Sequence, residues 1–168
     1  IGTYYQPDFI LSDLSILKSL PRREMISGYG EILKHSLILD KKFFLWLFKN
    51  GKKIINRKNN VFLKKAIIKS CQIKCKIVHK DEEEKDLRMI LNFGHTFAHG
   101  FEAAKKFSRA LNHGEAVLLG MMVASELSNK KKILPFKELL LIKKHYFSLK
   151  LFSNINKFFK RREINRVH

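Results

Sequence analysis

The sequence predicts an all-α protein, a bundle-like helical array of about six to eight helices joined by short polar breaks. Three observations predict it. Strand signals are almost absent from the 168 residues, apolar positions recur with a period near 3.6, and helix-start signals stand at Pro21, Asp40 and Asn112.

Taken in order, the one strand-like run is Phe9-Ile10-Leu11, which follows the turn formers Pro7-Asp8. Pro21 suits the first turn of a helix that carries Glu24, Glu31 and Lys34. Asp40 is placed to cap a second helix over residues 41–49, with Asn50-Gly51 ending it. From residue 60 to about residue 80, apolar positions at Leu63, Ile67 and Cys71 and within 74–78 keep the helical period and predict one long amphipathic helix. Cys71 and Cys75 stand four apart on it, neither a C-x-x-C pair nor a disulfide framework, and read as two buried free thiols. Asn112 and Glu115 have the spacing of a capping box that opens a helix from residue 113 to about 129. Residues 136–147 complete the array, and no internal repeat is present.

Length suits a single domain. With 45% hydrophobic residues, 8 Gly and 3 Pro, the chain can bury roughly two-thirds of its unfolded surface, which excludes disordered and low-complexity classes. No apolar run reaches the roughly 18 residues of a membrane helix and no signal peptide is recognisable, so the expected location is cytoplasmic, without a membrane partner. The net charge of +19 first suggests an anionic polymer. Divided by segment it is −1 over residues 1–40, +13 over 41–80, −3 over 81–129 and +10 over 130–168. Lysines outnumber arginines 26 to 8, as expected of solvated helix faces whose apolar stems lie on the core. Nucleic acid is therefore disfavoured as a partner. Opening on Ile1 in mid-pattern, the chain is expected to be a piece of a longer protein.

The chemistry-bearing residues fall in the two segments of slightly negative charge. On one helix, Arg88, Asn92, His95 and His99 would follow i, i+4, i+7, i+11 along one stripe, with Phe93, Phe97 and Phe101 on another. An ordinary solvated face would carry Lys and Glu, which this stripe lacks. Two histidines at i and i+4 can share a metal, with a third ligand from His113 or from a carboxylate such as Glu31; three protein ligands plus an open position is the catalytic zinc pattern. The absence of the Glu of H-E-x-x-H disfavours a zincin protease. Spacing alone admits both His95 and His99 as ligands.

Four ordered motifs resemble 3-dehydroquinate synthase: Ser27-Gly28-Tyr29-Gly30-Glu31-Ile32-Leu33-Lys34, then Asp81-Glu82-Glu83-Glu84-Lys85-Asp86-Leu87-Arg88, then Leu91-Asn92-Phe93-Gly94-His95-Thr96-Phe97-Ala98-His99, then His113-Gly114-Glu115-Ala116-Val117. The resemblance runs from residue 1 to about 130. It implies residues 1–20 as an inter-domain link with a short apolar segment, residues 21–150 as a helical metal- and substrate-binding domain, and residues 151–168 as a divergent basic tail. The family's N-terminal nucleotide-binding domain is expected to lie outside these 168 residues.

The resemblance further implies that Glu31, His95 and His113 hold a catalytic zinc, with cobalt also suited to N/O ligands, and that His99 is an acid/base group. Glu84 matches a proton acceptor. Lys34, Lys74, Arg88 and Asn92 match substrate-contacting positions, and Ile16, Leu17, Lys18 and Ser19 match a nucleotide-contacting stretch. Read without the resemblance, Glu84 belongs to a solvated acidic run and Lys74 to a lysine-rich helix face. The implied activity is that of a carbon-oxygen lyase in the shikimate route to chorismate and aromatic amino acids. It converts 3-deoxy-D-arabino-heptulosonate 7-phosphate, a phosphorylated keto sugar acid, to 3-dehydroquinate plus phosphate. In this chemistry NAD oxidises C5, phosphate is eliminated, C5 is reduced again, the ring opens and an aldol addition closes the carbocycle, so NAD returns unchanged.

The full-length enzyme is expected to be a homodimer, and the 168-residue piece alone to be inactive. Alternatives are another sugar-phosphate cyclase, a metal-dependent polyol dehydrogenase, a basic nucleic-acid-binding helical module, or a degenerate piece that keeps the motifs without a stable fold. Two departures stand out. Lys85-Asp86 replaces a small residue and Gly, which is expected to alter the turn into the site, and a late lysine-containing segment is not recognisable beyond about residue 148.

Overall fold

The computed structural model describes residues 7–56 and 60–151. Among them are six α-helices and no strand: α1 (Arg22–Leu39), α2 (Lys41–Ile55), α3 (Asn60–Lys80), α4 (His95–Ala104), α5 (His113–Lys130) and α6 (Phe136–Leu149). Two 3-10 helices, Leu14–Ser19 and Leu87–Asn92, precede α1 and α4. The all-α expectation is met. Phe9-Ile10-Leu11 forms no strand and lies exposed, because no neighbouring strand offers its backbone a partner. The expected basic tail lies outside the described residues apart from Leu151, as do the first six residues of the expected link. No described helix is long and apolar enough to cross a membrane.

One residue makes the α1–α2 corner. The Asp40 backbone leaves the helical region at φ −141°, ending α1, while its side chain accepts the Phe43 N–H at 2.8 Å and so caps α2. Lys69 of α3 pairs with the same carboxylate at 3.1 Å. The helix α2 does not stop at Asn50-Gly51 but continues to Ile55. A glycine inside a helix costs about 1 kcal/mol relative to alanine, and burial of Ile54 and Ile55 in the last turn offsets it. Gly51 serves close packing instead: a Cβ there would lie 2.5 Å from the Tyr29 hydroxyl and 2.7 Å from Leu149 Cδ1.

The long helix α3 has the expected extent, but its inward face is turned by about one residue. It buries Leu63, Ala66, Ser70, Ile73 and Ile77, and both Cys71 and Cys75 are exposed rather than buried. Both registers satisfy the helical period. The buried one brings Ser70 Oγ to 2.6 Å from Nδ1 of the buried His35 on α1, which satisfies two buried polar groups at once.

At the centre lies α5, buried without interruption from Ala116 to Met122. Its capping box forms as the sequence predicts: Asn112 Oδ1 accepts the Glu115 N–H at 2.9 Å and Glu115 Oε2 accepts the Asn112 N–H at 3.0 Å. Helices α1, α4 and α6 pack on α5, and Tyr146 of α6 donates its hydroxyl to the Leu118 carbonyl at 3.1 Å.

Candidate metal centre

Three helices bring the site together. Glu31 comes from the middle of α1, His95 is the first residue of α4 and His113 the first of α5. One ligand atom from each lies within 4.8 Å of the other two. The backbones must approach closely for this. A Cβ on Gly114 would collide with Ser27 of α1, and one on Gly30 would lie 3.0 Å from Leu118. Arg23 fixes the start of α5, donating Nε to Glu115 Oε1 at 2.8 Å and Nη2 to Oε2 at 2.5 Å. Its Nη1 and Nη2 also reach the carbonyls of Arg109 and Ala110 at 2.9 and 3.1 Å. A planar fork that binds both carboxylate oxygens sets orientation as well as distance.

The stretch from Arg88 to His99 is not one helix. The 3-10 helix Leu87–Asn92 ends at Phe93, and Gly94 turns the chain at φ +85° to begin α4. Only glycine takes that conformation freely, and its Cβ position would lie 2.7 Å from the backbone nitrogen of Met121. The opposing Gly120 has equally little room, since a Cβ there would collide with the Gly94 carbonyl oxygen. The single polar stripe of the sequence is thus two clusters. His95 begins a helix at the cluster with Glu31 and His113, whereas Arg88 and Asn92 stand before the turn.

Electrostatics prepare Glu31 and His95 as donors. Burial opposes ionisation of Glu31, but the Lys34 ammonium at 2.8 Å from Oε2 outweighs it, with help from His35 and His95, and holds the carboxyl below the ordinary range. Burial first, then the Lys34 charge, pushes His95 down and keeps its imidazole neutral. A carboxylate and a neutral imidazole are the ligand forms a divalent metal needs. Glu31 Oε1 and His95 Nδ1 are moreover buried without a hydrogen-bond partner. Two unpaired polar atoms on residues of one three-residue cluster mark a place where a cation fits.

The other expected residues surround this centre unevenly. His99 is exposed one turn further along α4, its ring 5.8 Å from that of His95, beside the cluster rather than in it. Glu84, Arg88 and Asn92 meet: Asn92 Nδ2 donates to Glu84 Oε1 at 3.1 Å and Arg88 Nε lies 3.6 Å from Oε2. Asp81 holds that loop by accepting the N–H groups of Lys85, Asp86 and Arg88 at 3.0, 2.9 and 2.8 Å. The left-handed residue of the loop is Glu84 at φ 58°. Asp86 has φ −152°, so the Lys85-Asp86 pair occupies backbone that needs no glycine.

Lys34 is buried beside Glu31, while Lys74 is exposed on α3, its charge felt at His35. Leu17 and Lys18 line a separate cleft of about 540 Å³ with Leu63 and Lys64 of α3, a cleft that Ile16 and Ser19 do not line. The sequence reading missed Arg23, His35 and Glu102. Glu102 lies seven residues after His95 on α4, a spacing that could have shown it, whereas His35 carries no signal beyond its place next to Lys34.

Comparison with known proteins identifies the lineage. The family described as 3-dehydroquinate synthase C-terminal matches residues 28–163. The chain belongs to this family. The 3-dehydroquinate synthase of Pelagibacter ubique is 54% identical over 99% of the chain, which covers 45% of that relative. The 3-dehydroquinate synthase of Rhodospirillum rubrum is 41% identical over 80% of the chain and 35% of its own length. The chain thus spans less than half of each. Among solved structures, the 2-epi-5-epi-valiolone synthase of Streptomyces hygroscopicus subsp. jinggangensis, with NAD+ and Zn2+ bound, has a TM-score of 0.83 at 25% identity, covering 99% of this chain and 46% of its own. A 2-deoxy-scyllo-inosose synthase complexed with carbaglucose-6-phosphate, NAD+ and Co2+ shares the fold at TM-score 0.83 and 24% identity, over 99% of this chain and 45% of its own.

Proposed function

We propose that this chain is the metal- and substrate-binding part of a 3-dehydroquinate synthase, which converts 3-deoxy-D-arabino-heptulosonate 7-phosphate to 3-dehydroquinate and phosphate. The observation that carries the reading is the convergence of Glu31, His95 and His113, two of which present buried polar atoms without a partner. Identity of 54% and 41% to two enzymes of that name favours this substrate over those of the more distant cyclases.

Glu31, His95 and His113 would hold zinc or cobalt. Bound there, the metal would supply Lewis-acid polarisation of substrate oxygens. NAD would supply the hydride acceptor and donor, and the cleft lined by Leu17 and Lys18 offers apolar surface and a cation to part of it. Lys34 holds Glu31 ionised at 2.8 Å and places positive charge at the centre for an anionic substrate. Arg88 and Asn92, tied to Glu84, offer a guanidinium and an amide for carboxylate or phosphate oxygens, with Lys74 on the facing helix as a second point charge. His99, exposed beside His95, is the group placed to take and return a proton at the reacting carbon, since an imidazole nitrogen can both accept and donate one. Glu84 is the second proton acceptor.

Metal analysis of the purified chain tests the reading. One zinc per chain is expected, with loss of stoichiometric zinc in both His95→Ala and His113→Ala and retention in His99→Ala. A parent without zinc, or zinc kept by both ligand variants, rejects the site.

A further inference from the structure

His113 begins α5 with 54% of its side chain exposed, so packing alone does not fix the angle of its ring. Glu102 of α4 supplies the missing constraint. Its Oε1 lies 3.2 Å from His113 Nδ1, and its own side chain is only 15% exposed. An ionised carboxylate can only accept a hydrogen bond, so the proton of this contact sits on Nδ1 and the lone pair of the neutral ring is left on Nε2.

We propose that Glu102 is a positioning residue that holds His113 in its Nδ1–H form and presents Nε2 to the metal shared with Glu31 and His95. This role rests on the metal reading given above. One short helix then serves two ligands, because α4 carries His95 at its first residue and, two turns on, the carboxylate that aims the ligand of α5. The end of α4 is itself held, with the Phe107 N–H folding back to the Glu102 carbonyl at 2.8 Å. A carboxylate behind a ligating imidazole fixes tautomer and ring orientation and raises the basicity of the ligating nitrogen. Neutral imidazole free in water favours the proton on Nε2, so the Nδ1–H form is a signature of Glu102 that general stability of the helix does not produce.

Two measurements on the full chain test the role. In long-range proton–nitrogen spectra of the zinc-free protein, the His113 ring is expected in the Nδ1–H form. Glu102→Ala should move it to the Nε2–H form, and Glu102→Gln, whose amide oxygen still accepts, should keep it. In competition with a chromogenic chelator, Glu102→Ala should weaken zinc binding by about 10- to 100-fold, and Glu102→Gln by less. Were the alanine variant unable to fold, the isosteric Gln variant would decide, because loss of the charge alone must still lower the affinity several-fold. A parent that takes up no zinc overturns the metal reading and this role with it. A parent that takes up zinc, with ring tautomer and affinity indifferent to both substitutions, overturns the role of Glu102 alone.

Discussion

His145 has no solvent-exposed surface. Its Nε2 lies 2.8 Å from the Tyr29 hydroxyl, and its ring stacks on Phe48 at 5.6 Å and meets the edge of Phe44 at 5.7 Å. Burial pushes its pKa down to about 4, so the folded protein holds it neutral. Because the folded value is depressed, the unfolded chain binds more protons between about pH 6.5 and pH 4. Stability is therefore full above pH 6.5 and declines as the pH falls toward 4, by on the order of 3 kcal/mol from this residue. His35, also pushed down to about 4 by burial and the Lys34 charge, adds in the same direction. Urea unfolding at a series of pH values should show the decline, and His145→Gln should flatten part of it; a parent equally stable at pH 4.5 and 7 would contradict the assignment. None of this was legible in the sequence, where His145 is one residue of a lysine-flanked helix, Lys143-Lys144-His145.

At the scale of elements, two glycines separate backbone requirement from free space. Gly94 combines φ +85° with a Cβ position 2.7 Å from Met121 nitrogen, a backbone atom that cannot swing away. Gly94→Ala should cost about 2–4 kcal/mol, from left-handed backbone strain together with displacement of α4 from α5. Gly28 lies within α1 with nothing near its Cβ position, so Gly28→Ala should gain about 0.5–1 kcal/mol from helix propensity alone. Denaturant midpoints of the two variants should move in opposite directions, and a common direction would show that the crossing at Gly94 is misread. The caps at Asp40 and Asn112 and the extents of α3, α5 and α6 followed from local signals, since a capping side chain acts within three residues. The end of α2 and the facing of α3 did not, because Gly51 and Ser70 are explained by Tyr29, Leu149 and His35, all more than twenty residues away in the chain.

For the whole molecule, part of the charge that first suggested an anionic polymer is used within the fold. Lys53 and Lys65 lie over the rings of Phe62 and Trp46 at 4.9 and 5.2 Å. Lys41, Lys69 and Lys143 pair with Glu138, Asp40 and Glu126 of other helices or corners. The three proposed metal ligands come from three helices, so metal binding is coupled to their packing. A metal held only by the folded form stabilises it by about 2.7 kcal/mol at a hundredfold excess over Kd, and zinc should raise Tm by about 5–10 °C on this scale. Calorimetry with and without zinc checks this, and His113→Ala should abolish the rise.

The sequence by itself determined the helical class, the caps, and the residue types of the site, because period, cap chemistry and motif order are properties of neighbours in the chain. The resemblance carried by four motifs implied that His99 is not among the ligands, where spacing alone admitted it. Only the tertiary structure decided that the stretch from Arg88 to His99 breaks at Gly94, that the thiols face outward, and that Glu102 stands behind His113. Each of these depends on which face of a helix meets another helix. Periodicity permits more than one facing, and the choice falls to long-range contacts such as Gly94 against Gly120 and His35 against Ser70.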